Sequence, residues 1–272
     1  MPDDSVYYDS YKEDRDLILE YNQVSLDDVN VINICGIGID NLTRVQAVVK
    51  VIRMADSGGV FHIMSMNPYK MHKLKFNTDL LNISSKADIH LAAGAGMQAA
   101  AKILKNPIKE RIPTISFMMD IVRIAEVKEY PIFLVGGRPE STEQAFFNIK
   151  KSFPKVRIVG RHGGFFNPER EKSVIEAMKK SQAKIIFIGM GFPKEDIWID
   201  KIKQDFTNSI FISVGGCLDI ISGQDKKAPA FFMDRGLDWL FRIMIRPWRI
   251  GRFLRVILFY IQVIYTRLRG KN

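Results

Sequence analysis

The chain has 272 residues, 47% of them hydrophobic, and a formal net charge of +10. This length and composition exclude a disordered or fibrous chain and leave room for one large α/β domain or two small ones. Its two cysteines, Cys35 and Cys217, lie far apart beside glycines, which excludes a disulfide-framed scaffold and reads as free thiols in a reducing compartment.

The charge is unevenly spread. The first thirty residues hold nine acids against two bases, whereas from Arg235 to the end nine bases face one acid, Asp238. Residues 1–28 are acidic and without periodicity, and are expected to be an extension. Asp14-Arg15-Asp16 has the Asp-x-Asp form that holds a divalent metal in many sugar-nucleotide enzymes. It sits in a charge run and not after an apolar strand, so no metal site is expected there. No basic flank followed by an apolar stretch opens the chain, so no secretory leader is expected and the protein is expected to stay in the cytoplasm.

From residue 29 the pattern VNVINICGIGIDNLT reads as a strand, a turn and a helix start at Asn41-Leu42-Thr43, with Val45, Val48, Val49 and Ile52 on one helical face. Residues 60–64 form the next strand, which closes at Ser65-Met66-Asn67-Pro68. Asn67 offers a ligand two donors and an acceptor, or else caps a following helix. Residues 87–91 form a third strand in which His90 alternates with Ile89 and Leu91. The small-residue turn Ala92-Ala93-Gly94-Ala95-Gly96 follows, then a helix over 97–104. Pro107, Glu110-Arg111 and Pro113 mark a loop before an apolar helix over 117–125.

The second half repeats this style, with strands at 131–135, 156–159, 185–188 and 210–214 and helices at 141–151, 167–180 and from about Glu195. Glycine turns punctuate it: Gly136-Gly137, Gly160 to Gly164, Gly189-Met190-Gly191 and Gly215-Gly216. Alternating strands and helices predict a parallel sheet with helices on both faces. In such sheets ligands bind beyond the carboxyl ends of the strands, where glycine lets backbone N–H groups approach a phosphate. A nucleotide or another phosphorylated compound is the expected ligand; the alternative is that the glycines only make tight turns.

The tail differs in kind. Arginines recur every three to four residues among bulky apolar ones, and residues 256–266 are uncharged, eleven in all. That run is too short to span a bilayer, which takes about 20 apolar residues. Basic helices carrying Trp239, Trp248, Tyr260 and Tyr265 fit in-plane binding to an anionic membrane surface. The alternative is a helix packed on the core or in an oligomer interface. The tail is too apolar between its arginines for nucleic acid, so no nucleic-acid partner is expected.

Several segments together resemble the WecG/TagA/CpsF glycosyltransferases (family 26), from about residue 31 to 255. They are Gly36-Ile37-Gly38-Ile39-Asp40-Asn41-Leu42-Thr43, Asn67-Pro68, Glu110-Arg111-Ile112, Gly136-Gly137-Arg138-Pro139, the Gly-x-Pro-Lys at Gly191 followed by Trp198, Val214-Gly215-Gly216 with Asp219, Gly223 with Ala228-Pro229, and Gly236-Leu237 with Trp239. The resemblance implies a Rossmann-like, doubly wound, mostly parallel α/β domain over 29–232 and a basic amphipathic helical appendage over 233–272. It also implies a metal-independent inverting enzyme without cofactor. Such an enzyme moves N-acetylmannosamine or a related hexose from a UDP-sugar to a polyprenyl-diphosphate-linked saccharide at the inner face of the cell membrane. Assembly into a homo-oligomer stays open.

Carried over by position, Asn67, Arg111, Asp219 and Arg249 are the implied catalytic residues. Gly191, Gly215, Gly216, Glu195, Arg242 and Arg252 are the implied donor-binding residues. Guanidinium groups suit a diphosphate leaving group, which they meet with paired hydrogen bonds. The departures fall in the same place. The family's Pro-Asp-Gly, whose aspartate is its proposed general base, is here Ala92-Ala93-Gly94. Its Gly-x-Asp is Thr114-Ile115-Ser116, a threonine is Ser65, and a glutamine is Glu195. An alanine accepts no proton, and His90 and Glu195 are the candidate substitutes for the base that the resemblance implies. The rival reading is a catalytically impaired homologue that binds nucleotide or lipid-linked saccharide, or supports a partner transferase. A third is a purely structural protein of the membrane surface.

Overall fold

The computed structural model describes residues 20–226, 229, 231–232, 241, 244–245 and 250–269. Residues 1–19 of the acidic extension, with Asp14-Arg15-Asp16, lie outside them, as do Ala228, Gly236, Trp239, Arg242, Trp248 and Arg249.

Six parallel strands form the central sheet in the order β4-β3-β8-β7-β5-β6. They are β3 (Val60–Met66), β4 (Ile89–Ala92), β5 (Ile132–Gly136), β6 (Ile158–His162), β7 (Ile185–Gly189) and β8 (Ser209–Ser213). Because successive strand residues face opposite sides, each strand feeds two cores. Ile63, Ile89, Leu91, Leu134, Phe187 and Ile212 pack on one face beneath α1 (Arg44–Ser57), α5 (Thr114–Val127) and α6 (Pro139–Ser152). On the other face, Phe133, Val135, Ile186, Ile188 and Phe211 pack against α7 (Pro168–Ser181) and α8 (Lys194–Ile202). The same face, at β3 and β4, carries α2 (Pro68–Lys75), α3 (Thr78–Ser85) and α4 (Ala95–Ile103). This is the doubly wound arrangement that the alternating pattern predicts.

Residues 29–43 do not form a strand-helix unit of that sheet. Val31–Ile34 (β1) and Ile37–Asp40 (β2) pair antiparallel as a separate hairpin. Its two-residue turn, Cys35-Gly36, has φ of 55° and 92°, the pair of positive values a type I′ turn needs to match strand twist. The hairpin buries Ile32, Ile34, Ile37 and Ile39 with α4. Of two short helices, α2 is the one Asn67 was expected to cap, and α3 is a second difference from the sequence reading. Each starts at an asparagine whose side chain accepts a backbone N–H, Asn67 from Lys70 and Asn77 from Leu80. The glycine turn Gly215-Gly216 after β8 opens a further short helix, α9 (Cys217–Ile221).

The last described element, α10 (Ile250–Leu268), buries Phe259 and Val263 in the core shared by the hairpin, α2 and α4. Its Tyr260 hydroxyl donates to the Gly96 carbonyl at 3.2 Å. The opposite side leaves Leu254, Leu258, Ile261, Ile264 and Leu268 exposed. No helix among the described residues is long and apolar enough to cross a membrane.

Candidate active site

β5 runs on through α6 to its outer neighbour β6, whereas the adjacent β7 returns through α8 to β8 on the other side. The connections diverge between β5 and β7, which makes this point the switch crevice of the sheet. The strand ends here touch backbone to backbone. The Gly137 N–H donates to the Gly189 carbonyl at 2.9 Å, Gly164 N–H to the Gly137 carbonyl at 2.8 Å, and Val214 N–H to the Ile188 carbonyl at 2.9 Å. Side chains would hold these turns apart.

Asp219, in the first turn of α9, lies over this floor. A Cβ added to Gly137, whose φ is 62°, would come within 2.9 Å of its Oδ1. Among the described residues the carboxylate makes no hydrogen bond within the protein. Gly137→Ala is therefore expected to cost about 1–2 kcal/mol for the left-handed backbone and to push Asp219 aside. Urea unfolding reads the first effect and sugar transfer the second; a variant as stable and active as the native chain would remove the close approach.

Glu195, named from the sequence as a donor-binding residue or base, is engaged by the backbone of two turns. Its Oε2 accepts the N–H groups of both Gly191 and Gly215, each at 3.0 Å, so the carboxylate ties the β7 and β8 turns together. These two N–H groups are thus engaged within the protein, and a phosphate would meet other donors. What the glycines provide is open space: a Cβ at Gly191 or Gly216 would meet nothing within 4 Å.

Behind Glu195 lies a charge cluster that the sequence reading missed. The Lys70 ammonium is 3.0 Å from Asp196 Oδ2 and 3.5 Å from Glu195 Oε1, with side-chain exposures of 5%, 1% and 1%. The Ser213 hydroxyl donates to Asp196 Oδ1 at 2.6 Å, and His62 Nε2 lies 3.1 Å from the same hydroxyl. Burial disfavours the Lys70 charge, yet Asp196 and Glu195 together raise its pKa. Burial pushes Glu195 up to about 7 against the pull of Lys70. Burial also opposes ionisation of Asp196, but the nearer Lys70 ammonium, with hydrogen bonds from His62 and Ser213, holds its carboxyl well below the usual range. One lysine serves two carboxylates, and the closer one takes the charge.

At the other end of the crevice, Asn67 caps α2 beside the Ala93-Gly94 turn: a Cβ on Gly94 would lie 3.2 Å from Asn67 Cβ. The Ala93 N–H donates to the Met66 carbonyl, and the Ile112 N–H to the Ala92 carbonyl, both at 2.9 Å, which brings the Arg111 loop to the end of β4. Asn67, Ala93 and Arg111 are thus gathered at one place. His90 is not among them. Its Nε2 lies 3.0 Å from both the hydroxyl and the carbonyl of Ser84, and burial lowers its pKa. It is a bonded strand histidine.

Arg252, on the first turns of α10, has its guanidinium 5.4 Å from the centre of the Tyr69 ring, and Arg255 stands 5.8 Å from the same ring. Tyr69 follows Asn67-Pro68, so the arginine end of α10 sits at the mouth of the crevice. The sequence signal for Tyr69 was its place beside Asn67. For Asp196 it was a pair of acids opening a helix. Neither signal names a partner.

A doubly wound sheet with its crevice at the β5/β7 switch point defines the class, a Rossmann-like α/β fold. The chain belongs to the glycosyl transferase WecG/TagA/CpsF family, whose model matches residues 32–272. Among curated proteins it is similar to the N-acetylglucosaminyldiphosphoundecaprenol N-acetyl-beta-D-mannosaminyltransferases of Staphylococcus aureus strains NCTC 8325 / PS 47 and MW2. Each is 29% identical over 243 residues, covering 89% of this chain and 95% of theirs.

Proposed function

We propose that this glycosyltransferase moves an N-acetylmannosamine-like sugar or hexose from a UDP-sugar to a polyprenyl-diphosphate-linked saccharide. In this reading an acceptor hydroxyl oxygen bonds to the anomeric carbon from the side opposite the diphosphate. The carbon–oxygen bond to the β-phosphate breaks, UDP leaves with the electron pair, and the hydroxyl proton passes to a base. The anomeric configuration inverts.

The supporting observation is the crevice itself, open above Gly191 and Gly216, with Asp219 at one end and Asn67 with the arginine end of α10 at the other. From β3 to β5 is three strand steps, roughly 14 Å at the spacing of paired strands, the reach of an extended nucleotide sugar. Asp219 accepts a hydrogen bond from a hydroxyl of the nucleotide or acceptor. Arg111, Arg242, Arg249 and Arg252 meet the diphosphate charge, and Asn67 positions the sugar. Residues 29–232 form the catalytic unit. Residues 233–272 bring the enzyme to the anionic inner face of the cell membrane, consistent with the exposed apolar side of α10.

A second reading is motivated by Ala93, which carries no carboxylate beside Asn67: a catalytically impaired homologue that binds nucleotide or lipid-linked saccharide or supports a partner transferase. Calorimetric titration with UDP, without added metal, is expected to show binding that weakens about tenfold or more in Arg249→Ala, the loss of one charge-assisted contact. Absence of binding, with and without anionic vesicles, would sink the donor assignment. Transfer assays with Ala93→Asp then separate the readings. A gain of about 10² or more, within the range general base catalysis supplies, marks a decayed enzyme; no gain marks a rearranged site.

A further inference from the structure

We infer that Tyr69 is a positioning residue that aims Arg252 and Arg255 together at the diphosphate, which adds Arg255 to the phosphate-facing arginines. This rests on the reading of the crevice as a UDP-sugar site. Tyr69 is fixed early: the Asn67 cap and Pro68 at the first helical position set the start of α2. Both guanidinium groups lie over its ring, at 5.4 and 5.8 Å from the centroid, and Arg255 Nη1 donates to its hydroxyl at 3.4 Å. The ring in turn meets Phe192 edge to face, with centroids 6.2 Å apart at 88°. Phe192 belongs to the Gly191 turn that Glu195 holds, and the Lys70 ammonium stands 5.1 Å from its ring centre. Contacts therefore run without a gap from the β7 turn to the arginines of the last helix.

Among the described residues neither Arg252 nor Arg255 has a carboxylate within ion-pair distance. A planar, weakly hydrated guanidinium stacks on an aromatic face and keeps its edge N–H groups free. A ring shared by two arginines thus holds both charges close together despite their repulsion, and apart from the Arg255 contact with the Tyr69 hydroxyl it consumes none of their donors. That arrangement suits a diphosphate, which carries two adjacent anionic groups and takes paired hydrogen bonds. A carboxylate partner would hold the arginines as firmly but consume those donors. Docking of α10 does not depend on Tyr69, because Phe259, Val263 and the Tyr260 hydroxyl anchor the helix further along.

The test is calorimetric titration of UDP and of inorganic pyrophosphate into the full chain. Variants are Tyr69→Ala, Tyr69→Phe, the pair Arg252→Ala with Arg255→Ala, and that pair combined with Tyr69→Ala. Tyr69→Ala is expected to weaken both ligands about tenfold with its melting temperature and helical content retained, whereas Tyr69→Phe, which keeps the ring, stays within about threefold of the native chain. In the arginine-lacking background Tyr69→Ala is expected to have no further effect, the mark of a residue acting through those arginines. Native affinity in Tyr69→Ala, or an undiminished loss in the arginine-lacking background, would overturn the inference. Pyrophosphate separates the two claims. Binding of pyrophosphate that depends on Tyr69, without UDP binding, removes the nucleotide reading and keeps the clamp. No binding of either ligand removes both.

Discussion

Asp219→Asn is expected to lower sugar transfer by a factor of about 10² or more, while stability stays within about 0.5 kcal/mol of the native chain. The two halves of this expectation have one cause. The carboxylate stands over Gly137 at the floor of the crevice and has no hydrogen-bond partner of its own among the described residues. Folding therefore gains little from its charge. An amide keeps its shape but neither carries negative charge nor takes a proton. How the loss divides is informative. If Asp219 holds a hydroxyl of the nucleotide equally in ground and transition states, the effect falls on KM; if it handles the acceptor proton, the effect falls on kcat. Transfer within about threefold of the native rate would remove Asp219 from the site.

The places of Asp219 and Asn67 were legible in the sequence because each follows an apolar run that stops at a turn, the position at which a parallel sheet presents residues to a ligand. The six strands of the central sheet were legible for the same reason: short apolar runs ended by turn residues, Asn67-Pro68 after β3 and glycine at or near the end of the others. The hairpin was not, because its turn is Cys35-Gly36 and cysteine gives no signal of the positive φ, 55°, that it adopts there. Helix α2 was legible only through its Asn67 cap and α3 not at all, since each spans eight residues, about two turns, too short for a periodic apolar face to stand out. The buried cluster lay further out of reach, since Lys70 and Asp196 are 126 residues apart and meet only once β3 and β8 are neighbours. The absence of a carboxylate at Ala93 made Glu195 and His90 the substitutes named for the base; their partners, Gly191 and Gly215 for one and Ser84 for the other, show what each holds in place. Local pattern reports which turn a residue occupies, and tertiary pairing decides whether its polar atoms remain available.

That pairing makes Lys70 the residue whose loss is expected to cost most in stability. Lys70→Met leaves Asp196 and Glu195 adjacent, almost wholly buried and without their cation, and removing one partner of a buried ion pair typically costs about 3–5 kcal/mol. The thioether fills most of the lysine stem's volume, so the loss reports charge more than packing. Adding Glu195→Gln to Lys70→Met should return part of it, because the amide oxygen can still accept from Gly191 and Gly215 and carries no charge. The pH dependence gives a sharper test. With Glu195 raised by burial to about 7, its contribution is fully present below the unfolded value near 4.5 and is lost as pH rises through 7, up to about 3 kcal/mol. Asp196, held low, contributes above the ordinary aspartate value and loses that contribution only in acid. Asp120, raised by burial to about 6, adds a slope of the same sign as Glu195, but it does so in native and variant proteins alike. The difference between native protein and the Glu195→Gln single variant therefore isolates Glu195. Urea unfolding at pH 5 and pH 8 should show the native chain losing stability relative to Glu195→Gln as pH rises. Parallel behaviour of the two proteins would mean that Glu195 keeps one protonation state across this range, with the carboxylate ionised throughout and Lys70 shared evenly between its two acids.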